Sequence, residues 1–185
     1  MIKPKKSLGQ NYLIDLNILN LIVDIGLISE KDRIIEIGPG TGNLTRLLLL
    51  KNPKKIILIE KDKLLSKKLS NISSNKLYII NEDFLKFNES LFENKEFIVF
   101  GNLPYNISSQ ILIKLIEFQF KNIKFKKLIL MFQKEVADRI VAKQGSKDYG
   151  RISILTNWLT KSKKLFDIPS EAFIPRPKIT SSVIQ

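Results

Sequence analysis

The chain has 185 residues, 31 basic and 18 acidic, for a formal net charge of +13, and 44% of it is hydrophobic. That length and apolar content describe one domain with a buried core and exclude a disordered tail; no apolar run reaches roughly 18 residues, which excludes a membrane-spanning helix. With no cysteine and no histidine, thiolate, zinc-thiolate and imidazole chemistry are removed, leaving carboxylates, amides, hydroxyls, backbone groups or a bound cofactor to carry any reaction.

Taken in chain order, the N-terminus (Met1-Ile2-Lys3-Pro4-Lys5-Lys6) is charged but has no apolar stretch behind it, so it does not read as a secretory signal. A helix over Asp15–Ile25 places Leu16, Leu19, Ile22 and Val23 on one face, suited to capping a sheet. From there, short β-branched runs alternate with helical patterns. Arg33–Gly38, Lys55–Glu60, Leu77–Asn81, Glu96–Asn102 and Lys127–Phe132 read as strands of a parallel sheet buried on both faces. Helices between and after them are marked by Leu44, Leu47 and Leu48, by Leu64, Leu65 and Leu69, and by Ile111, Leu112, Leu115 and Ile116 behind a cap at Asn106 or Ser108. Val136, Ile140 and Val141 mark one more. This succession predicts an open, doubly wound, mostly parallel α/β sheet.

After residue 150 the rhythm changes. Ser153–Thr160 reads as a short helix, Lys164–Ile168 as a strand, Pro169–Pro177 as a loop, and Ile179–Gln185 as a strand that stops without a polar turn, the pattern of a truncated chain. The division expected is an N-terminal segment and cap helix (1–30), a nucleotide-binding core (31–150) and a final helix-and-strand portion (151–185) of one catalytic domain.

Charge alone does not identify a partner. The bias toward Ile, Lys and Asn can reflect an AT-rich coding background, with a polyanionic partner the favoured reading. The motifs are more specific. Glu36-Ile37-Gly38-Pro39-Gly40-Thr41-Gly42 follows the first core strand and leads into a helix, so its glycines allow close backbone approach to a ligand at a helix N-terminus. Glu60 ends the next strand, 22 residues after Gly38, where a carboxylate can accept both hydroxyls of a ribose, and Asp83 can accept from an adenine amine. The spacing is G-x-G-x-G, whereas the dinucleotide fingerprint is G-x-G-x-x-G. Glu36 is also a poor neighbour for a pyrophosphate and a good one for the sulfonium and ammonium of S-adenosylmethionine. The loop therefore favours a methyl donor over NAD.

Asn102-Leu103-Pro104-Tyr105 closes the fourth core strand, at the carboxyl edge where open α/β sheets bind substrates. An aromatic exocyclic amine is a poor nucleophile because its lone pair is delocalised into the ring. The Asn102 side-chain oxygen and the Leu103 carbonyl can each accept one amine hydrogen, which favours tetrahedral nitrogen. Pro104 stiffens the turn and Tyr105 can stack on an unstacked base. The methylated arylammonium is acidic enough to release its proton to water, so no imidazole or thiol is needed.

Together with Gln10-Asn11-Tyr12-Leu13, Asn106-Ile107-Ser108, Gln133–Arg139, Tyr149–Ser153 and Phe173-Ile174-Pro175-Arg176-Pro177-Lys178, these motifs occur in a known order and spacing. From about residue 5 to 185 the chain resembles the ribosomal RNA adenine dimethyltransferases of the KsgA type, with the erythromycin-resistance methyltransferases as close relatives. The resemblance implies a Rossmann-like class I fold, S-adenosylmethionine as methyl donor and dimethylation of adenine N6 in rRNA. The implied targets are two adjacent adenines in the 3′-terminal hairpin loop of 16S rRNA, within an immature 30S subunit, with the enzyme a cytoplasmic monomer that needs no metal. It also implies that Asn11, Leu13, Gly38, Gly40, Glu60, Asp83 and Asn102 contact the donor. Tyr105 and Phe173 would sandwich the target base. Phe173 on its own reads more readily as a core aromatic, and only the Phe-x-Pro-x-Pro context shifts it toward the base.

Two departures from the family pattern are visible. Tyr12 stands where Phe is often found, and the family's small helical C-terminal domain has no counterpart in these residues, so the catalytic domain can be complete while RNA docking is impaired. Competing expectations are methylation of 23S rRNA, a non-catalytic ribosome-assembly factor that binds RNA, and, least favoured by the glycine spacing, an NAD-dependent oxidoreductase.

Overall fold

The structure, a computed structural model, describes residues 4–5, 8–92, 95–121 and 123–185. Five parallel strands form its centre: β2 (Arg33–Ile37), β3 (Lys55–Ile59), β4 (Leu77–Ile80), β5 (Glu96–Asn102) and β6 (Lys124–Gln133). Two antiparallel strands complete the sheet, β7 (Lys164–Ile168) and β9 (Ser181–Ile184). Their spatial order is β4-β3-β2-β5-β6-β9-β7. The order reverses between β2 and β5, and at such a switch point the connections leave in opposite directions and open a crevice at the carboxyl ends. A separate two-stranded ribbon pairs β1 (Tyr12–Leu13) with β8 (Phe173–Ile174).

Alternation along the strands separates two cores. Ile34, Ile56, Leu58, Ile98 and Phe100 face helices α1 (Leu16–Ile25), α2 (Asn43–Leu50) and α3 (Lys63–Leu69). Their neighbours Ile35, Ile57, Ile59, Phe97 and Val99 face α4 (Ser108–Phe120), α5 (Lys134–Ile140) and α6 (Arg151–Leu159). Successive side chains of a strand point to opposite faces, so uninterrupted apolar runs require a helical layer on both sides. Five phenylalanines, Phe84, Phe87, Phe92, Phe97 and Phe118, pack ring to ring in the second core. No helix among the described residues is long and apolar enough to cross a membrane.

Several local expectations are corrected. Leu16 is 65% exposed rather than on the buried face of α1, whose packing side is Leu19, Ile22 and Val23. Strand β6 begins three residues before Lys127. Its early lysines hid it, yet Lys126 pairs with Asp32 and Lys127 reaches the carbonyls of Ile25 and Gly26. Neither Asn106 nor Ser108 caps α4. Ile107 holds the cap position, and Ser108 is the first helical residue, its hydroxyl donating to the Tyr105 carbonyl. Helix α6 starts earlier, at Arg151, with Ser153 Oγ accepting the Gly150 N–H. The loop after Pro169 contains a 3-10 turn (Ser170–Ala172) and β8. The last strand, expected from Ile179, begins at Ser181 and is paired on both sides, inserted between β6 and β7.

Candidate active site

The crevice at the switch point is a cleft of about 1150 Å³ including its open mouth. Its walls come from the carboxyl ends of β2, β3 and β5, the segment after β4, and the N-terminal residues Leu8–Leu13. Asn11, Leu13, Gly38, Gly40, Glu60, Asp83, Asn102, Leu103, Pro104 and Tyr105, separated by up to 94 residues in sequence, all line it.

The glycine loop follows β2 with Gly38 at φ +66° and Gly40 at φ +57°. These left-handed values are strained for any residue bearing a Cβ. Space is short as well at Gly40, where a Cβ would lie 3.0 Å from the Tyr12 ring. The loop is held by Glu60, whose Oε2 accepts the Gly40 N–H at 3.0 Å while its Oε1 accepts the Asp62 N–H at 2.8 Å.

Acidity concentrates on this side. Glu36 is 2% exposed and accepts from Thr45 Oγ1 at 2.7 Å, and among the described residues no cation pairs with it. Burial pushes its carboxyl up to about 8, the Thr45 bond opposing and the Glu60 charge adding. Burial also raises Glu60, with N–H bonds from Asp62 and Gly40 working against the shift. Asp83 goes the other way. Its burial is outweighed by the Lys61 ammonium, 2.9 Å away, and by the Leu85 N–H. Asp62 is likewise lowered, Lys5, the Leu64 N–H and Gln10 outweighing its burial.

The opposite wall carries no formal charge from Asn102 to Ile107. Asn102 ends β5 and its Nδ2 donates to the Asn11 carbonyl at 2.8 Å. Leu103 buries its side chain in the core at 1% exposure. Tyr105 is part-buried, its hydroxyl 2.6 Å from Ser181 Oγ; burial raises its phenol, and the Ser181 bond partly offsets this.

Phe173 is not brought to the cleft wall. It is 2% exposed, belongs to the core that holds Leu13 and Met131, and pairs in register with Leu13 in the β1–β8 ribbon. It therefore stands one layer behind residues that line the cleft, and the expected sandwich with Tyr105 is not formed in this arrangement. Sequence reasoning missed Thr45, Asp62 and Ser181, and took Gln10 only as part of a motif without giving it a role. Asp62 had a signal, since an Asp directly before a helical pattern is a capping residue, and it does cap α3 through the Leu64 N–H.

The residues present suit S-adenosylmethionine. A buried carboxylate without a cation, two more acids on the same wall and a glycine loop held open for backbone approach match a ligand that is cationic at one end and carries a ribose and an adenine at the other. Among the described residues no cluster of three or more His, Cys, Asp or Glu is placed to hold a metal ion.

Comparison with known proteins fits this geometry. The family model described as Ribosomal RNA adenine dimethylase matches residues 1–185. The chain belongs to the ribosomal RNA adenine dimethylase family. Ribosomal RNA small subunit methyltransferase A of Pelagibacter ubique is 50% identical over 183 residues, covering 99% of this chain and 70% of the relative. The protein of that name from a Wolbachia of Drosophila simulans is 48% identical, over 100% of this chain and 68% of the relative. Among solved structures, a dimethyladenosine transferase from Plasmodium falciparum superposes with a TM-score of 0.82 at 33% identity, over 93% of this chain and 61% of that one. The 23S rRNA methyltransferase ErmE reaches a TM-score of 0.78 at 24% identity, over 94% of this chain and 68% of its own, a likeness of fold. The chain thus spans roughly two thirds of the length of these relatives.

Proposed function

We propose that this member of the dimethylase family transfers methyl groups from S-adenosylmethionine to the N6 amine of adenine in small-subunit rRNA. The observation that carries the reading is the meeting of Asn102 with the Glu36–Gly40 loop and Glu60 in one cleft. The donor supplies an electrophilic methyl group on a sulfonium. Glu36 and the Gly38 backbone face its methionine portion, Glu60 its ribose and Asp83 its adenine, with Asn11 and Leu13 covering it from the N-terminal segment.

On the acceptor side, Asn102 Oδ1 and the Leu103 carbonyl each take one hydrogen of the target amine. This turns the nitrogen lone pair toward the donor side and favours tetrahedral geometry. Tyr105 stacks on the flipped-out base. The proton lost after transfer goes to water, since the arylammonium is a strong acid. Lysines on a surface of net charge +13 contribute phosphate contacts and a marked salt dependence.

The finer reading is dimethylation of two adjacent adenines in the 3′-terminal hairpin loop of 16S rRNA, on an immature 30S subunit, by a cytoplasmic monomer. The curated relatives named above, all small-subunit enzymes by name, support 16S over 23S rRNA. The test is to incubate the protein and labelled donor with unmodified small and large subunits. Label is expected in 16S rRNA at N6-dimethyladenosine. Label confined to 23S rRNA would overturn the target, and donor binding without transfer to either would favour the non-catalytic assembly factor.

A further inference from the structure

The acceptor amide of Asn102 is useful to the reaction in one orientation only. Turned over, its NH2 would meet the hydrogens of the target amine, and no acceptor would be offered. What selects the orientation is the Asn11 carbonyl, to which Nδ2 donates at 2.8 Å, leaving Oδ1 as the free atom. The question passes to what holds Asn11.

On its C-terminal side, Asn11 is followed directly by β1, fixed by pairing with β8. On its N-terminal side it is held by the side chain of Gln10, which spans 52 residues of sequence to reach Asp62. Gln10 Nε2 donates to Asp62 Oδ2 at 3.2 Å. Its Oε1 accepts from the Tyr12 hydroxyl at 2.8 Å and from the Lys5 backbone N–H at 2.7 Å. Asp62 is an immovable post. It is 3% exposed, its Oδ1 caps α3, and its Oδ2 also meets the Lys5 ammonium at 2.9 Å. Acceptors face donors at every link, so neither end of the Gln10 amide can turn without breaking bonds on both sides.

We infer that Gln10, clamped by Asp62 and Tyr12, is a positioning residue for methyl transfer. It holds the Asn11 carbonyl against Asn102 and so aims the Asn102 oxygen at the target amine. This rests on the proposed reaction. The Tyr12 hydroxyl strengthens the clamp, since the Phe often found at that place in the family would leave Gln10 Oε1 one donor short.

The test exchanges partners. Gln10→Glu sets two carboxylates against each other, and Asp62→Asn offers an amide to an amide while keeping a cap on α3. The double variant Gln10→Glu/Asp62→Asn restores donor to acceptor. Each single change is expected to lower kcat about tenfold, with donor Kd and RNA KM moved less than about threefold, and the double variant to recover most of the loss. Tyr12→Phe is expected to cost about threefold in kcat. Singles that retain full kcat, a double variant no better than the singles, or a loss confined to donor affinity would each overturn the assignment. The Asn102 side-chain amide NMR signal separates this from the wider reading. If the wild-type protein methylates no rRNA, the proposed function falls and the role in transfer with it, while a hydrogen-bonded Asn102 signal lost in the singles and regained in the double variant still establishes that Gln10 orients the Asn102 amide. A signal unchanged across the set refutes it.

Discussion

The two walls of the cleft hold opposite kinds of chemistry on either side of the β2–β5 junction. The wall built on β2, β3 and the segment after β4 carries Glu36, Glu60, Glu82 and Asp83, with the first two at most 5% exposed. The wall built on β5 carries Asn102, Leu103, Pro104, Tyr105 and Asn106, without a charge among them. A chain of net charge +13 has thus gathered acids, with Lys61 as their one cation among the lining residues, on one side of this cleft and placed none from Asn102 to Ile107 on the other. A cationic donor is held by charge, which acts over distance and tolerates loose geometry. A neutral amine must be oriented, and orientation comes from hydrogen-bond acceptors fixed in angle.

If that division is right, the deepest break comes from the neutral wall. Asn102→Ala is expected to lower kcat about 100- to 1000-fold while donor affinity by calorimetry stays nearly constant. A comparable loss in donor binding would merge the two walls into one site. Glu36→Gln attacks the charged wall, with an expected weakening of donor affinity of about tenfold or more and a smaller effect on the chemical step.

The same residue has a pH signature. Between its ordinary value of 4.5 and the folded value of about 8, the folded protein keeps a proton that the unfolded chain has lost. Donor-free stability is then highest at the acid end of that window and falls as pH rises through it. Denaturant melts across the window should show this slope, and Glu36→Gln should flatten it. A cationic donor favours the ionised carboxylate, so binding near pH 7 should release protons, measurable by calorimetry in buffers of different ionisation enthalpy.

Gly40→Ala probes the hinge of the charged wall. Its left-handed φ and the 3.0 Å approach to Tyr12 predict a loss of about 1–2 kcal/mol in unfolding free energy. A melt within error of wild type would show that the loop relaxes freely. The smallest effect expected is for Tyr105→Phe, which removes one hydroxyl bond to Ser181 and keeps the ring. Its cost is about 1 kcal/mol in stability, with kcat within a few-fold of wild type if stacking is what matters.

The central sheet was legible because β2 to β5 are almost wholly apolar, and a strand buried on both faces leaves few alternatives. Strand β6 was read short because Lys124 and Lys126 mask its start, and what places them in the strand is the pairing of Lys124 with β5 and the contact of Lys126 with Asp32. The glycine loop and the Asn-Leu-Pro-Tyr turn were legible as contiguous motifs whose chemistry is local. The clamp on Asn102 was not, since Gln10 and Asp62 acquire meaning only when two distant segments meet. Nor was the placement of Phe173, which depends on the pairing of β8 with β1. Short motifs report the groups that touch ligands more readily than the groups that aim them.

The insertion of β9 between β6 and β7 bears on when the protein becomes competent. Strands β2, β3 and β4 are joined by short crossovers and can find one another early. The neutral wall leans on later arrivals, with Tyr105 bonded to a serine 76 residues downstream and β1 waiting for β8. Contacts of such sequence separation form late in folding. A chain synthesised only as far as β5 can therefore bring Glu36, Glu60 and Asp83 together while Tyr105 still lacks Ser181 and β1 still lacks β8, so the acceptor turn and the Asn11–Leu13 cover of the donor both wait on the strands that follow.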